Sequence, residues 1–278
     1  MTERARSAGT RKPVMTHGVG LLALALVFVW VAPGSAQQNS EYSRTAELAA
    51  PESKQRPRGF LFQRPIAQIG LRGGFSLART SSSLFDFTTE QLTLDRSDFN
   101  AVSVGGDLAF RVMDPVDLVF SFTYSSTSKT SEFRDYVDQD DLPITQRTTF
   151  TQVPLTASIR AYLMPRGREI GRFAWVPSSF APYIGAGGGA VRYTFRQVGS
   201  FVDYQDLSIF DTTFESYGWS PLAVVMAGMD FSLGPRVVLN TDARYHWASG
   251  ELSRDFADFD DGIDLSGLQL SLGVLFRL

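Results

Sequence analysis

The sequence predicts an all-β fold, an eight-stranded antiparallel transmembrane up-and-down β-barrel. Three observations predict it. From residue 65 onward, apolar and polar residues alternate with a period of two in eight separate segments, which is the pattern of β-strands with two different faces. Between these segments, long polar connections alternate with short ones. The sequence also finishes on such a segment, GLQLSLGVLFRL.

Residues 1–36 have the three-part layout of a secretory signal peptide. Four basic residues precede the apolar run VGLLALALVFVWVA, and small residues follow at Gly34 and Ala36. The run is shorter than the about 20 apolar residues of a transmembrane helix. Since no later segment comes close to that length, the sequence excludes a multi-span helical membrane protein.

Residues 37–64 are mostly polar and contain Pro51 and Pro57, so we expect a flexible N-terminal arm on the periplasmic side. Residues 65–278 form the predicted barrel domain. Removing residues 1–36 takes away four bases and one acid and lowers the formal net charge from −3 to about −6, which disfavours a nucleic-acid binder. The absence of cysteine excludes disulfides, thiol catalysis and thiolate metal sites.

The predicted strands share one alternation, in which Leu71 and Phe75, for example, flank positions occupied by Arg72 and Gly74. In the fifth segment the glycines weaken the pattern, and its apolar face is predicted to oppose Arg192. The eight segments are 65–78, 99–112, 116–126, 150–163, 181–195, 217–233, 237–247 and 267–278.

The predicted connections fall into two classes. Short turns lie near Asp114 and Gly234. The connection 164–179 is long where a short turn is expected, and its role cannot be read from the sequence. The long polar loops are predicted at about 79–98, 129–147, 196–214 and 249–263.

Eight alternating strands can close in two opposite ways. A lipocalin-like barrel has its apolar faces inside, whereas a membrane barrel has them outside. Here the polar faces carry glycine, serine and charges of both signs, which suits an interior just wide enough for side chains in which arginine and aspartate can pair. The sequence therefore predicts a charged lumen network of Arg72, Asp107, Arg111, Asp117, Arg160, Arg192, Asp230, Asp242, Arg244 and Arg277.

Aromatic residues near the predicted strand ends favour the membrane alternative, because aromatic belts mark the two interfaces of a bilayer. Long outer loops and short periplasmic turns are the arrangement found in bacterial outer-membrane barrels. The predicted belts are Phe99, Tyr124, Tyr193, Trp219, Tyr245 and Trp247 towards the long loops, and Phe110, Tyr183, Phe231 and Phe276 towards the short turns.

The last residues, SLGVLFRL, resemble the C-terminal signal by which the barrel-assembly machinery recognises bacterial barrels. Ser271, Gly273, Phe276 and Leu278 fit that pattern in order, although a final Phe is commoner than Leu. The segment APYIGAGGGAVRY is also similar to a strand of that group. Residues 65–278 thus resemble the small outer-membrane β-barrel superfamily, which includes the outer membrane protein A barrel, OmpX, OmpW and the opacity proteins. The resemblance implies a location in the bacterial outer membrane.

Two further groups of residues are candidate functional sites, and each also has a simpler structural explanation. The last loop carries Asp255, Asp258, Asp260, Asp261 and Asp264. These carboxylates could bind Ca²⁺ or the divalent cations that bridge lipopolysaccharide, but their spacing departs from the D-x-D-x-D-G calcium loop and favours solvated loop charge. His246 and Ser249 stand where lipid A deacylases of the superfamily have a His and a Ser. The Ser-Asn pair of that motif is absent, and the alternation points His246 into the lumen.

The function that we expect is therefore structural or surface interaction, without an enzyme activity, a cofactor or a metal. A narrow pore or transporter for small or hydrophobic solutes is the alternative, and a lipid-modifying enzyme is a third. The expected partners are outer-membrane lipid and lipopolysaccharide, the assembly machinery and, at the acidic loops, divalent cations.

Overall fold

The computed structural model describes residues 64–170, 174–203 and 206–278. The predicted signal peptide 1–36, and all but the last residue of the predicted arm 37–64, lie outside these ranges. Eight long strands dominate the described part: β1 (Ala67–Ala78), β2 (Ala101–Met113), β3 (Val116–Val137), β4 (Pro143–Tyr162), β5 (Phe180–Val202), β6 (Ile209–Ser232), β7 (Val237–Gly250) and β8 (Gly267–Arg277).

The strands form a closed antiparallel ring. Each strand pairs with its neighbours in chain order, and β8 pairs with β7 on one side and with β1 on the other. The register of the closing pair runs from Gln68 opposite Arg277 to Ala78 opposite Gly267. Closure pairs the backbone polar groups between strands and leaves no free sheet edge around the barrel wall.

Burial alternates along the strands and is inverted relative to a soluble protein. On β1, Leu71 is 73% exposed, whereas the adjacent Arg72 is only 6% exposed. On seven of the eight strands the large aliphatic and aromatic side chains of the wall point outward, and the charged side chains point into the ring. No helix in the described part of the chain is long and apolar enough to cross a membrane.

Two predicted loops, 129–147 and 196–214, are wrong, because the strands continue through most of them. β3 and β4 join at residues 138–142, and β5 and β6 join around residues 203–208. Polar side chains pair across these extensions, as in Ser128–Thr149 (3.0 Å). β3 has 22 residues and β6 has 24, while a membrane crossing needs about 9–11, so both hairpins extend well beyond the apolar band.

The other connections carry short elements. Between β1 and β2 lie helix α1 (Ser83–Gln91) and a 3-10 turn (Arg96–Phe99). Between β7 and β8 lie a 3-10 turn (Arg254–Phe256) and a two-residue strand (Ile263–Asp264). The long turn between β4 and β5 forms a small hairpin of Gly167–Ile170 and Ala174–Pro177. We call the end with the loops 79–100 and 251–266 the loop end, and the opposite end the turn end.

β5 faces the opposite way from the prediction. Tyr183, Val191, Tyr193 and Phe195 are buried inside the ring, and Arg192 is exposed on the outside, opposite Trp219 in the register. The reason is that the interior contains apolar layers as well as charges, so an apolar face need not be the outer one. The predicted belt positions Tyr183 and Tyr193 are therefore wrong, as is Phe99, which is buried in the first loop.

Two glycines beside Arg72 allow the backbones of neighbouring strands to approach closely. Arg72 on β1 stands opposite Gly105 of β2 and Gly273 of β8. A Cβ atom at Gly105 would lie 2.4 Å from the carbonyl oxygen of Phe122, and one at Gly273 would lie 2.8 Å from that of Leu71. Both distances are closer than non-bonded atoms allow, so these positions accept only glycine without a backbone shift.

We expect Gly105→Ala to lower the free energy of unfolding by about 1–3 kcal/mol, the usual cost of inserting a methyl group into a packed interior. Urea unfolding in detergent, followed by the heat-modifiable gel shift, measures it. Gly234→Ala is the matched control, since a Cβ there meets nothing within 4 Å. Equal stabilities of the two variants would contradict the packing argument.

Candidate functional site

The turn-end half of the lumen holds a connected set of charges. Arg244 of β7 forms a bidentate pair with Asp107 of β2, at 3.2 and 3.1 Å, and also donates to Asp242. Arg72 lies 3.6 Å from Asp107 and 3.8 Å from Asp242. All four side chains are buried, so each charge depends on the others for the stabilisation that water would otherwise give.

Tyrosine and asparagine side chains extend this network towards the turn end. Tyr183 donates to Asp242 (2.6 Å), and Asn240 bridges Tyr183 (2.9 Å) and Asp230 (2.7 Å). Tyr162 donates to the other oxygen of Asp230 (2.7 Å). The fully buried guanidinium of Arg160 lies 4.4 Å from the centre of the Tyr183 ring. Hydroxyl and amide groups thus link charges that do not touch directly.

Side chains of the long connection between β4 and β5 enter the turn end of the lumen. Arg166 of this connection enters the lumen, donates to Asp117 (2.7 Å) and lies 4.4 Å from the centre of the Tyr162 ring. Trp175 of the small hairpin is buried, and the guanidinium of Arg277 lies 5.3 Å from the centre of its ring. The unexpected length of this connection is explained, because it folds into the mouth of the barrel.

The loop end is closed by an apolar cluster that we call the aromatic plug: Phe85, Phe99, Phe150, Phe195 and Phe256. Phe85 of α1 is fully buried and packs edge-on against Phe99 (4.8 Å between ring centres), Phe150 (5.5 Å) and Phe195 (5.8 Å). Phe256 of the last loop contacts Phe195 at 5.6 Å. Edge-to-face pairs of this kind stabilise a core beyond the area that they bury.

The outer surface decides what kind of barrel this is. Ile69, Phe122, Ile159 and Leu272 are about half exposed on four different strands, while arginines and aspartates fill the interior. An apolar exterior around a charged interior is stable only when the exterior contacts lipid. The chain folds as a transmembrane β-barrel. Tyr124, Trp219 and Trp247 are exposed on the loop side of its apolar band, and Phe110, Phe231 and Phe276 on the turn side.

Solved structures with a similar fold are small outer-membrane barrels. Neisserial surface protein A is 16% identical, with a TM-score of 0.44, and the match covers 77% of this chain and 97% of that one. OprG of Pseudomonas aeruginosa is 15% identical with a TM-score of 0.41, and the match covers 77% of this chain and 97% of that one. Ail, the attachment invasion locus protein of Yersinia pestis, is 12% identical with a TM-score of 0.40, and the match covers 77% of this chain and 99% of that one. No protein-family model and no curated protein matches the chain. The fold assignment rests on this chain's own closed ring.

Serines of the first loop bind aspartates of the last loop, an arrangement that we call the loop clasp. Asp264 accepts from the backbone (3.1 Å) and hydroxyl (2.6 Å) of Ser81, and Asp261 accepts from the backbone (2.9 Å) and hydroxyl of Ser83. Asp261 thereby caps the N-terminus of α1, where a carboxylate is favourable.

These hydrogen bonds lower the pKa of both carboxyl groups. Burial of the Asp264 carboxyl group raises its pKa, but hydrogen bonds from Ser81 and Ser266 outweigh burial, so that the pKa lies below its usual value. Hydrogen bonds from the side chain and backbone of Ser83 lower the pKa of Asp261. The clasp is therefore strongest when both groups are ionised.

The ten predicted lumen residues divide into three groups. Arg111 is only partly buried, at the turn-end mouth, where its Nε lies 3.7 Å from Asp114. Arg192 is wrong as a lumen residue, because β5 presents it outward. The structure places the others inside: Arg72, Asp107, Asp117, Arg160, Asp230, Asp242, Arg244 and Arg277.

The residues of the predicted assembly signal lie on both faces of β8. Phe276 and Leu278 are exposed on the outside. Gly273 faces the interior, and the hydroxyl oxygen of Ser271 is buried.

The other predicted candidates do not assemble into a site. His246 faces the lumen and Ser249 is exposed on the other face of β7, so the two side chains are not brought together. Asp255 accepts from the backbone of Glu215 (3.0 Å). Among the described residues, no group of three or more His, Cys, Asp or Glu could hold a metal ion.

Sequence reasoning missed Arg166, Trp175 and the inward role of Tyr183. Arg166 and Trp175 belong to the connection between two predicted strands, so the alternation of those strands could not place them. The only signal was the length of that connection.

We expect Arg244→Met to lower the free energy of unfolding by about 3–5 kcal/mol, because it leaves Asp107 and Asp242 buried without their main partner. Urea titration in detergent measures the loss. Arg192→Met removes the same group from the outer surface and should change stability by about 0.5 kcal/mol or less. If both variants unfolded at the same urea concentration as the parent, the network would not stabilise the barrel.

The clasp makes the order of α1 depend on pH. Since the folded pKa values of Asp261 and Asp264 lie below the unfolded value of about 4, the stabilisation is complete above that value. It is lost as the pH falls through the folded pKa values. Protection of α1 amides against hydrogen exchange, corrected for intrinsic rates, should therefore be lower at pH 3 than at pH 7.

Asp261→Asn should remove most of this pH dependence. The control is Asp206→Asn, since hydrogen bonds from Ser208 lower the pKa of Asp206 in a different loop, and α1 should respond to pH as in the parent. Unchanged protection of α1 in the parent between pH 7 and 3 would refute the role of the clasp.

Proposed function

We propose that the chain is a bacterial outer-membrane protein whose barrel is a closed scaffold for surface interaction. The observation that carries the proposal is that buried side chains occupy three successive levels of the lumen. The Arg166–Trp175 connection occupies the turn end, the charge network the middle and the aromatic plug the loop end. An eight-stranded interior has space for side chains only, and here that space is used.

The structure beyond the apolar band is the part that a partner would meet. The β3–β4 and β5–β6 hairpins form a continuous four-stranded sheet there. We call this region the crown: residues 126–149, 194–203 and 206–217, with the loops 79–100 and 251–266. The β3–β4 tip carries Asp135, Asp138, Asp140 and Asp141 around the exposed Val137 and Leu142, so a partner with positive charge and some apolar surface is favoured.

The N-terminal segments and the end of β8 would lie on the periplasmic side of the membrane. Residues 1–36 would direct secretion, residues 37–64 would form a periplasmic arm, and Phe276 and Leu278 would be read by the assembly machinery. Their outward exposure is consistent with recognition before insertion. The crown would then face the cell exterior, where lipopolysaccharide and divalent cations are its nearest neighbours.

Planar-bilayer recording tests the closed scaffold. We expect purified, heat-modifiable protein to give no discrete conductance steps above those of a protein-free bilayer, with a large porin reconstituted in the same way as the positive control. Steady unitary steps from the folded protein would overturn the proposal and favour the narrow pore.

A further inference from the structure

The crown contains a cavity that the scaffold role does not require. Its volume is about 400 Å³, within the usual range of about 300–1,000 Å³ for sites of small molecules. It lies between α1, the inner face of the crown sheet and the last loop. Its wall is largely aromatic and includes Phe133, Phe201, Phe210, Phe214, Phe256 and Phe259.

The aromatic plug lies between this cavity and the charged lumen. Phe150 and Phe195 of the plug are paired in the register, and Phe201 of the cavity wall lies further along β5, away from the membrane. Phe256 belongs to the plug and also lines the cavity. A molecule therefore reaches the cavity from the crown and not through the barrel.

The rings of the wall meet at steep angles instead of forming one stack. The planes of Phe201 and Phe214 are at 76°, with 4.7 Å between ring centres, and those of Phe214 and Phe256 are at 61°. Phe87 and Phe259 of the wall form another such pair, at 62°. The face of an aromatic ring carries negative potential, so a wall of rings attracts a cation as well as apolar surface.

The charged groups at the cavity are both acidic. Asp255 and Asp258 of the last loop are exposed, and among the described residues that line the cavity they are the only charged ones. Asp255 accepts from the backbone of Glu215 (3.0 Å), whereas no described residue pairs with the carboxylate of Asp258. Two carboxylates beside an apolar opening favour a cation and disfavour an anion.

A metal ion does not suit this combination. No group of three or more His, Cys, Asp or Glu in the described part of the chain could hold one, and a phenylalanine wall supplies no oxygen ligands. A neutral molecule would contact the rings but gain nothing from the two carboxylates. A cation with an apolar body gains from both.

We infer that the crown binds a small organic cation, an ammonium compound whose apolar body packs against the phenylalanines and whose charge lies near the ring faces and Asp258. A quaternary ammonium group suits this site because it has no N–H groups that would need acceptors, and recognition of such groups by aromatic rings is common.

Equilibrium dialysis of the protein in phosphatidylcholine nanodiscs, against empty nanodiscs of the same lipid, tests this inference with three probes that share a benzyl group. Benzyltrimethylammonium should bind saturably in excess of its binding to lipid. Neopentylbenzene has the same shape without the charge and should bind about three- to thirtyfold more weakly, as expected for cation–π contacts. Benzylsulfonate should show no excess.

Asp258→Asn should weaken the binding of benzyltrimethylammonium about two- to fivefold, the usual size of an exposed ion pair, and leave neopentylbenzene unchanged. Asp260→Asn is the matched control. Asp260 is exposed in the same loop and the substitution changes the net charge equally, but Asp260 does not line the cavity. Its binding of benzyltrimethylammonium should equal that of the parent.

No saturable excess of benzyltrimethylammonium, or binding of neopentylbenzene that is at least as tight, would overturn the inference. Equal weakening by Asp258→Asn and Asp260→Asn would also overturn it, because the charge effect would then not be local to the cavity. The comparison of the probes on the parent does not depend on the folding of any variant. Conductance steps would overturn the closed scaffold without changing these results.

Discussion

Closure of the hydrogen-bonded ring is the constraint on which the rest of the structure depends. In hydrocarbon, an unpaired backbone N–H or C=O group costs several kcal/mol, so a sheet survives there only without edges. The pairing of β1 with β8 removes the last two edges. It also fixes which side chains meet inside, because the register that places Gln68 opposite Arg277 places Arg72 opposite Gly273.

The small ring then limits what its interior can contain. Side chains fill an eight-stranded lumen, and Gly105 and Gly273 beside Arg72 allow the backbones of neighbouring strands to approach closely. Charges buried this way need partners, and Arg244 forms ion pairs with both Asp107 and Asp242. Nearer the loop end the interior changes to phenylalanine. Polar and apolar layers are thus stacked along one axis, which explains why neither face of the sheet is uniformly apolar.

Much of the barrel architecture was predictable from the sequence, because a two-residue period and the positions of the short turns follow from local chemistry. The strand number, the antiparallel order and the outward faces of seven strands come from that pattern. The outward face of β5 could not be predicted, since Tyr193 and Phe195 are as suitable for a lipid-facing surface as for the aromatic plug. The strand extensions were missed because a serine- and threonine-rich stretch such as residues 126–131 looks like a loop until its partner strand is known. Arg166 and Trp175 act through tertiary contacts that no periodicity encodes.

The loop clasp connects residues that are far apart in the sequence, since Ser83 and Asp261 are separated by 178 positions. Asp261 is made after seven of the eight strands. Helix α1 therefore cannot acquire this cap until seven strands have been made, and the docking of α1 belongs to a late stage of folding. Until α1 docks, Phe85 cannot make its ring contacts with Phe150 and Phe195.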